Sequence, residues 1–294
     1  MRTKRRALLL AAAGLLAPAY GQALPLLRKA IPSSAEEIPV IGLGTARRYE
    51  QPAPGLHETL ARFGALGAAV IDTAPVYGDA EGVVGELLDG LQLRPRLFLA
   101  TKVSISGREA GVRQIEQSFR RLRTAKIDLI AVHNLRDTQT HLATLRELKR
   151  LGRIRYVGIT TSSDRQYAEF EQTMRREPLD FVQVDYALDN RSAGERILPL
   201  AAERGTAVMV NLPFGRGRLF AAVRGKPLPP WAAEIDCASW PQFFLKYIVS
   251  HPAVTCAVPG MARPEYVVDN LGAARGRLPD AAMRRRMESF IDAV

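Results

Sequence analysis

From Ile38 onward the chain alternates between two kinds of stretch. Short apolar runs at 38–43, 68–72, 97–102, 128–133, 154–160, 180–185, 206–211 and 253–258 have the length of buried strands. Between them, apolar residues recur at helical spacing over 55–66, 80–90, 109–122, 139–151, 165–176, 193–204, 240–250 and 264–274. Eight strands alternating with helices predict a closed (β/α)8 TIM barrel rather than an open sheet. A last amphipathic stretch at 280–293 should pack outside it.

The ends of the chain and one interval depart from this rhythm. Residues 1–23 begin with a basic cluster, Lys4-Arg5-Arg6, and run into an Ala/Leu-rich stretch that ends near Ala17. That stretch is shorter than the roughly 20 apolar residues a membrane span needs, so it reads as a signal peptide with no stable membrane insertion after its removal. The Arg5-Arg6 pair resembles a bacterial twin-arginine export signal, though without the usual aromatic after the pair. The expected location is therefore the periplasm, reached through export machinery, or the cytoplasm if the segment is not used as a signal. Residues 24–37 read as a Pro/Ser connector, and 38–294 as one barrel domain. Between the strand at 206–211 and Trp240 lie some thirty residues containing Gly215-Arg216-Gly217-Arg218, and loops of that length inside a compact domain are commonly functional.

Candidate chemistry sits at strand ends, where barrel enzymes keep it. Val70-Ile71-Asp72-Thr73-Ala74-Pro75-Val76-Tyr77-Gly78 places a carboxylate and a phenol in the connection after a strand. Phe98 to Val103 carries Lys102, and Asp128 to His133 ends on His133. Taken singly, each has a structural role open to it: Asp72 as a helix cap, Tyr77 as loop packing, Lys102 as a solvated terminus, His133 as a near-core histidine.

Together the four resemble the catalytic group of the aldo-keto reductase family, which has an Asp, a Tyr, a Lys and a His in that order on a (β/α)8 barrel. The resemblance runs from about Ile38 to the C-terminus, and the Asp-x-Ala-x-x-Tyr-Gly segment is its most specific piece. It implies hydride transfer from NADPH, or from NADH, to a small carbonyl substrate. Tyr77 is then the proton donor, Lys102 lowers the phenol pKa, Asp72 holds Lys102, and His133 orients the carbonyl oxygen.

The implied cofactor site follows the family only in part. Gly44 and Thr45 end the first strand, and Gln183 matches the residue that bonds the nicotinamide carboxamide. The usual Ser-Asn pair is Thr160-Thr161, and Asn211 replaces the stacking tyrosine. Pro213, Gly215, Arg216, Gly217 and Arg218 resemble the loop that closes over the pyrophosphate, where backbone N–H groups and arginines would bind phosphate. Pro259, Gly260 and Arg263 resemble the adenosine-phosphate turn, and Asp269 and Asn270 its adenine-contacting acid and amide.

Composition narrows the alternatives. The net charge is +11, of which Arg2, Lys4, Arg5 and Arg6 carry four, leaving +7 elsewhere. The remaining basic residues are scattered over amphipathic helices with no aromatic interleaving, which argues against nucleic-acid binding. Positive charge still favours an anionic ligand through steering. The two cysteines, Cys237 and Cys256, form no framework, and the four histidines lack metal-ligand spacing. A hydrolase or lyase built on Asp72 and His133 would lack an activated nucleophile. The remaining alternative is an exported barrel that binds a nucleotide or small molecule with little turnover. The short tail after the last barrel helix implies an open site and a broad range of small carbonyls.

Overall fold

The computed structural model describes residues 24–294, so the expected signal peptide, 1–23, lies outside the described residues. Elements follow in chain order. They are β1 (Arg28–Ala30), β2 (Glu37–Pro39), β3 (Leu43–Gly44), α1 (Leu56–Ala65), β4 (Val70–Asp72), α2 (Ala80–Gly90) and β5 (Phe98–Val103). Next come α3 (Arg108–Arg121), β6 (Ile127–Val132), α4 (Thr138–Arg150), β7 (Ile154–Thr160), α5 (Tyr167–Arg176), β8 (Phe181–Asp185) and α6 (Ala193–Glu203). The chain continues with β9 (Ala207–Asn211), α7 (Arg218–Ala222), α8 (Trp240–Val249), β10 (Val254–Ala257), α9 (Pro264–Gly272) and α10 (Ala281–Asp292).

Strands β3 to β10 lie side by side in chain order, and every paired neighbour is parallel. Parallel bridges from Ile41 to Ala257 and from Gly44 to Gly260 join the last strand to the first and close the ring. The result is the (β/α)8 barrel that the alternation predicts. Residues at every second strand position point inward: Val70, Phe98, Ala100, Leu129, Tyr156, Phe181, Ala207, Met209 and Cys256 form one buried cluster. Phe98, Tyr156 and Phe181 fill its middle, with ring centroids 5.5–5.8 Å apart. The alternate positions, such as Leu99, Ile130, Val157 and Val182, face the helices and belong to the larger outer core.

Helix faces follow the same logic. Helix α3 buries Gly111, Ile115, Ser118 and Phe119, and α5 buries Tyr167, Phe170 and Met174, each set spaced by three or four residues. Helix α8 is apolar nearly all round and buries seven consecutive residues, Phe243 to Val249, because the loop before it covers its outer side. Ser239 caps α8 by accepting from Gln242 N–H, and Asp280 caps α10 by accepting from Met283 N–H.

Two segments differ from the sequence reading. The stretch at 24–37 is not a bare connector: β1 and β2 pair antiparallel, with Lys29 opposite Ile38. Ile31 and Ile38 from this hairpin join the inner cluster and cover the N-terminal end of the barrel. An open barrel end would leave that apolar layer in water, which accounts for the extra element. The expected first strand at 38–43 is thereby divided, its start pairing in the hairpin and Val40 to Gly44 in the barrel. The long interval after β9 is also structured, with a 3-10 turn at Gly215–Gly217, helix α7 and a second 3-10 turn at Pro230–Ile235.

Candidate active site

The C-terminal strand ends surround a cleft of about 600 Å³. Asp72 is the last residue of β4, and Lys102 lies near the end of β5 with 1% of its surface exposed. The Lys102 ammonium donates to Asp72 Oδ1 and Oδ2 at 2.8 and 2.9 Å and to the Thr73 carbonyl at 2.8 Å. It also stands over the Tyr77 ring, 5.1 Å from the centroid, where its charge acts on the phenol. His133 follows β6 and meets the Tyr77 ring edge-on at 5.8 Å. Gly78 lets the chain turn directly after Tyr77: its φ is +58°, and a Cβ there would stand 2.9 Å from Glu50 Cβ and 3.0 Å from the Glu50 carbonyl oxygen.

Burial sets the protonation states. It disfavours the Lys102 charge, but the Asp72 carboxylate and Tyr77 outweigh it and hold the ammonium above its ordinary pKa. Burial raises the Tyr77 phenol; Lys102 pulls it down and Asp72 pushes it up, and the balance stays above an ordinary tyrosine. The expected lowering by Lys102 is present, but desolvation exceeds it. His133 is lowered to about 3 by burial and by the positive charges of Lys102 and Arg136, so its imidazole is neutral at pH 7. Its Nδ1 is buried without a partner.

Of the residues expected to hold a cofactor, Gly44, Thr45, Thr160, Gln183, Asn211, Pro213, Arg216, Gly217 and Gly260 line the same cleft as Asp72, Tyr77 and His133. Thr45 spends its hydroxyl on Thr73 Oγ1 and the Asp72 carbonyl, steadying the turn that carries the carboxylate. Thr160 Oγ1 accepts from Asn134 N–H, beside His133. Others are placed elsewhere. Thr161 turns its hydroxyl away to Gln166 and Ser163, and the Pro259 carbonyl accepts from Gly44 N–H in the barrel closure. Arg218 pairs with Asp189 at 2.8 Å, and Gly215 fits against that same carboxylate. Arg263 lies near Glu265 at 3.6 Å and over the Tyr266 ring, while Asp269 accepts from Ser239 and Gln242, and Asn270 is buried.

The cleft also contains residues that sequence reasoning missed. Arg47, Arg48, Glu50, Val76, Asn134, Phe214 and Phe220 line it. Arg47, Arg48 and Arg216 form no ion pair among the described residues. The Arg47-Arg48 pair, one residue past the Gly44-Thr45 strand end, was a signal available in the sequence. Four non-glycine residues of the lining, Arg47, Asn134, Leu212 and Arg216, have φ between 50° and 60°. Backbone held in this region costs about 1–3 kcal/mol per residue and tends to cluster at functional sites. Phe214 and Phe220 pack on each other at 4.9 Å and on Phe244 of α8, which seats the long loop beside the cleft.

These side chains suit a dinucleotide with a carboxamide head. Gln183 Nε2 and Asn211 Oδ1 are buried without partners, a donor and an acceptor left for a ligand. The unpaired arginines supply charge for phosphates. The fold is a (β/α)8 barrel with this cleft at its C-terminal strand ends. Residues 40–290 match the model of the Aldo/keto reductase family, and the chain belongs to that family. It is 30% identical over 256 residues to methylglyoxal reductase YeaE of Escherichia coli, spanning 84% of this chain and 89% of that one. An aldo/keto reductase from Klebsiella pneumoniae in complex with NADP and acetate superposes with a TM-score of 0.74 at 30% identity, covering 87% of this chain and 93% of that one. A Klebsiella pneumoniae aldo-keto reductase in complex with NADPH gives 0.73 at 28% identity, covering 92% and 95%.

Proposed function

We propose that the protein reduces small aldehydes or ketones to alcohols with NADPH, and that Asp72, Tyr77, Lys102 and His133 are its catalytic residues. One observation carries this reading: a buried Lys102 ammonium held by Asp72 and Thr73 against the Tyr77 ring, with a neutral His133 at the ring's edge, and Asp72, Tyr77 and His133 lining one cleft. When bound, the reduced nicotinamide supplies the hydride for the carbonyl carbon. Tyr77 donates its phenolic proton to the carbonyl oxygen as negative charge develops there. The Lys102 charge stabilises the phenolate that remains, and Asp72 keeps Lys102 from moving toward solvent. Neutral His133 offers one ring N–H to the same oxygen and fixes its direction without competing for the proton.

Gln183 and Asn211 would hold the carboxamide, and Arg47, Arg48 and Arg216 the phosphates. NADH is the alternative dinucleotide, because Arg263 is the sole basic side chain between Gly260 and Tyr266. The name of the Escherichia coli relative makes methylglyoxal the first substrate to test. The Arg5-Arg6 segment supports export, and changing both to lysine should hold an unprocessed form in the cytoplasm.

The test is titration of purified protein with NADPH by tryptophan fluorescence, followed by addition of methylglyoxal. Binding followed by oxidation of the nucleotide is expected. Binding with no oxidation of the nucleotide by any small carbonyl would instead identify a nucleotide-binding barrel.

A further inference from the structure

Strands β7, β8 and β9 end side by side beneath the cleft, with Thr160 opposite Gln183 and Asp185 opposite Asn211. Asn211 is the last residue of β9, yet its Nδ2 donates to the Thr161 carbonyl beyond the end of β7, at 2.9 Å. The side chain therefore crosses the end of β8, the strand that carries Gln183. This bond also fixes which way the amide faces. Nδ2 is committed, so Oδ1 is the atom left over, and it is buried with no protein partner. Gln183 Nε2 is buried and unpartnered too. A buried polar atom without a partner is destabilising, so neither is explained by folding alone.

Resting on the reading of this cleft as a nicotinamide site, we propose that Asn211 is a positioning residue whose Oδ1 accepts the N–H of the carboxamide, while Gln183 Nε2 donates to its carbonyl. A primary carboxamide presents one acceptor and one donor in a single plane, the complement of these two atoms. A carboxylate in its place would set negative charge against Oδ1, and a methyl ketone would leave Oδ1 unsatisfied. The Thr161 backbone is essential to the assignment because it keeps Asn211 from presenting its NH2 instead. The Thr161 hydroxyl is bound to Gln166 and Ser163 and takes no part. Control of the nicotinamide plane is thus shared by Gln183 of β8 and Asn211 at the end of β9, without the Thr161 side chain.

Binding of two dinucleotides tests this without turnover: NADP, and its 3-acetylpyridine analogue, in which a methyl group replaces the carboxamide NH2. The wild type should prefer NADP by about ten-fold or more, the scale of one buried hydrogen bond. Asn211→Leu should bring the ratio close to one, chiefly by weakening NADP. Gln183→Leu should weaken both ligands alike and keep the ratio, since both retain the carbonyl. Circular dichroism and thermal melting would verify that each variant is folded. A wild type that binds the two equally, or an Asn211→Leu variant that keeps the preference, would overturn the role of Asn211 while leaving the cofactor reading intact. Failure of the wild type to bind either ligand would overturn both.

Discussion

Lys102 is the most constrained side chain of the site, a buried cation that donates to Asp72 and to the Thr73 carbonyl. Replacing it by methionine leaves the Asp72 carboxylate buried and unpaired, which should cost about 3–5 kcal/mol of stability as well as activity. Adding Asp72→Asn should recover most of the stability and none of the turnover, as urea unfolding and carbonyl reduction would reveal. Recovery of both would mean the pair serves the fold alone. His133 yields a pH prediction. Its pKa falls from 6.5 when unfolded to about 3 when folded, so the unfolded chain binds a proton that the folded one refuses. Stability is full above pH 6.5 and falls as pH drops toward 3, by about 2 kcal/mol at pH 5 from this group. In His133→Gln the loss of stability between pH 7 and pH 5 should be smaller by about that amount. The positions of Asp72, Tyr77, Lys102 and His133 were legible because each falls at or just after the end of an apolar run. The direction of the Tyr77 shift was not, because it depends on how deeply the ring is buried. Nor was the pairing of Arg218, since Asp189 lies in a loop 29 residues earlier.

Among the elements, the N-terminal hairpin shows how far a pattern can be read. Strands β1 and β2 have three residues each, too short for periodicity, and Pro32-Ser33-Ser34 between them reads as a connector. Their pairing becomes visible only once the barrel exists to need a cover. Lys29 of β1 secures it by donating to the carbonyls of Val249, His251 and Val254 at 2.7–2.9 Å. Lys29→Met should therefore lower stability by about 2 kcal/mol or more in urea unfolding, with kcat unchanged because the hairpin is at the opposite end from the cleft. An equal fall in kcat would show that the two ends of the barrel are coupled. The loop after β9 was conspicuous by length and by its Gly/Arg content. Its division of labour was not: Arg216 faces the cleft while Arg218, two residues on, ties the loop to Asp189.

The whole molecule carries a net charge of +11, and the cleft gathers three unpaired arginines from two loops. Association with NADPH should be fast and should slow as salt rises, since attraction over distances beyond about 10 Å is screened at 0.1 M. Replacing Arg47, Arg48 and Arg216 together by alanine should flatten that salt dependence in stopped-flow association. A slope equal to that of the wild type would place the steering charge elsewhere on the surface. The barrel itself was legible throughout, because eight alternations of a short apolar run with a stretch of helical period leave few other architectures. If Tyr77 hands its proton to a carbonyl held in this cleft, removing its hydroxyl should slow that transfer and leave nucleotide binding alone. The most direct test is a single turnover of bound NADPH with methylglyoxal, comparing the wild type with Tyr77→Phe. Equal affinity for NADPH is expected, with a transfer step about 10²–10⁴-fold slower in the variant. Transfer at the same rate in both proteins would contradict that role of Tyr77.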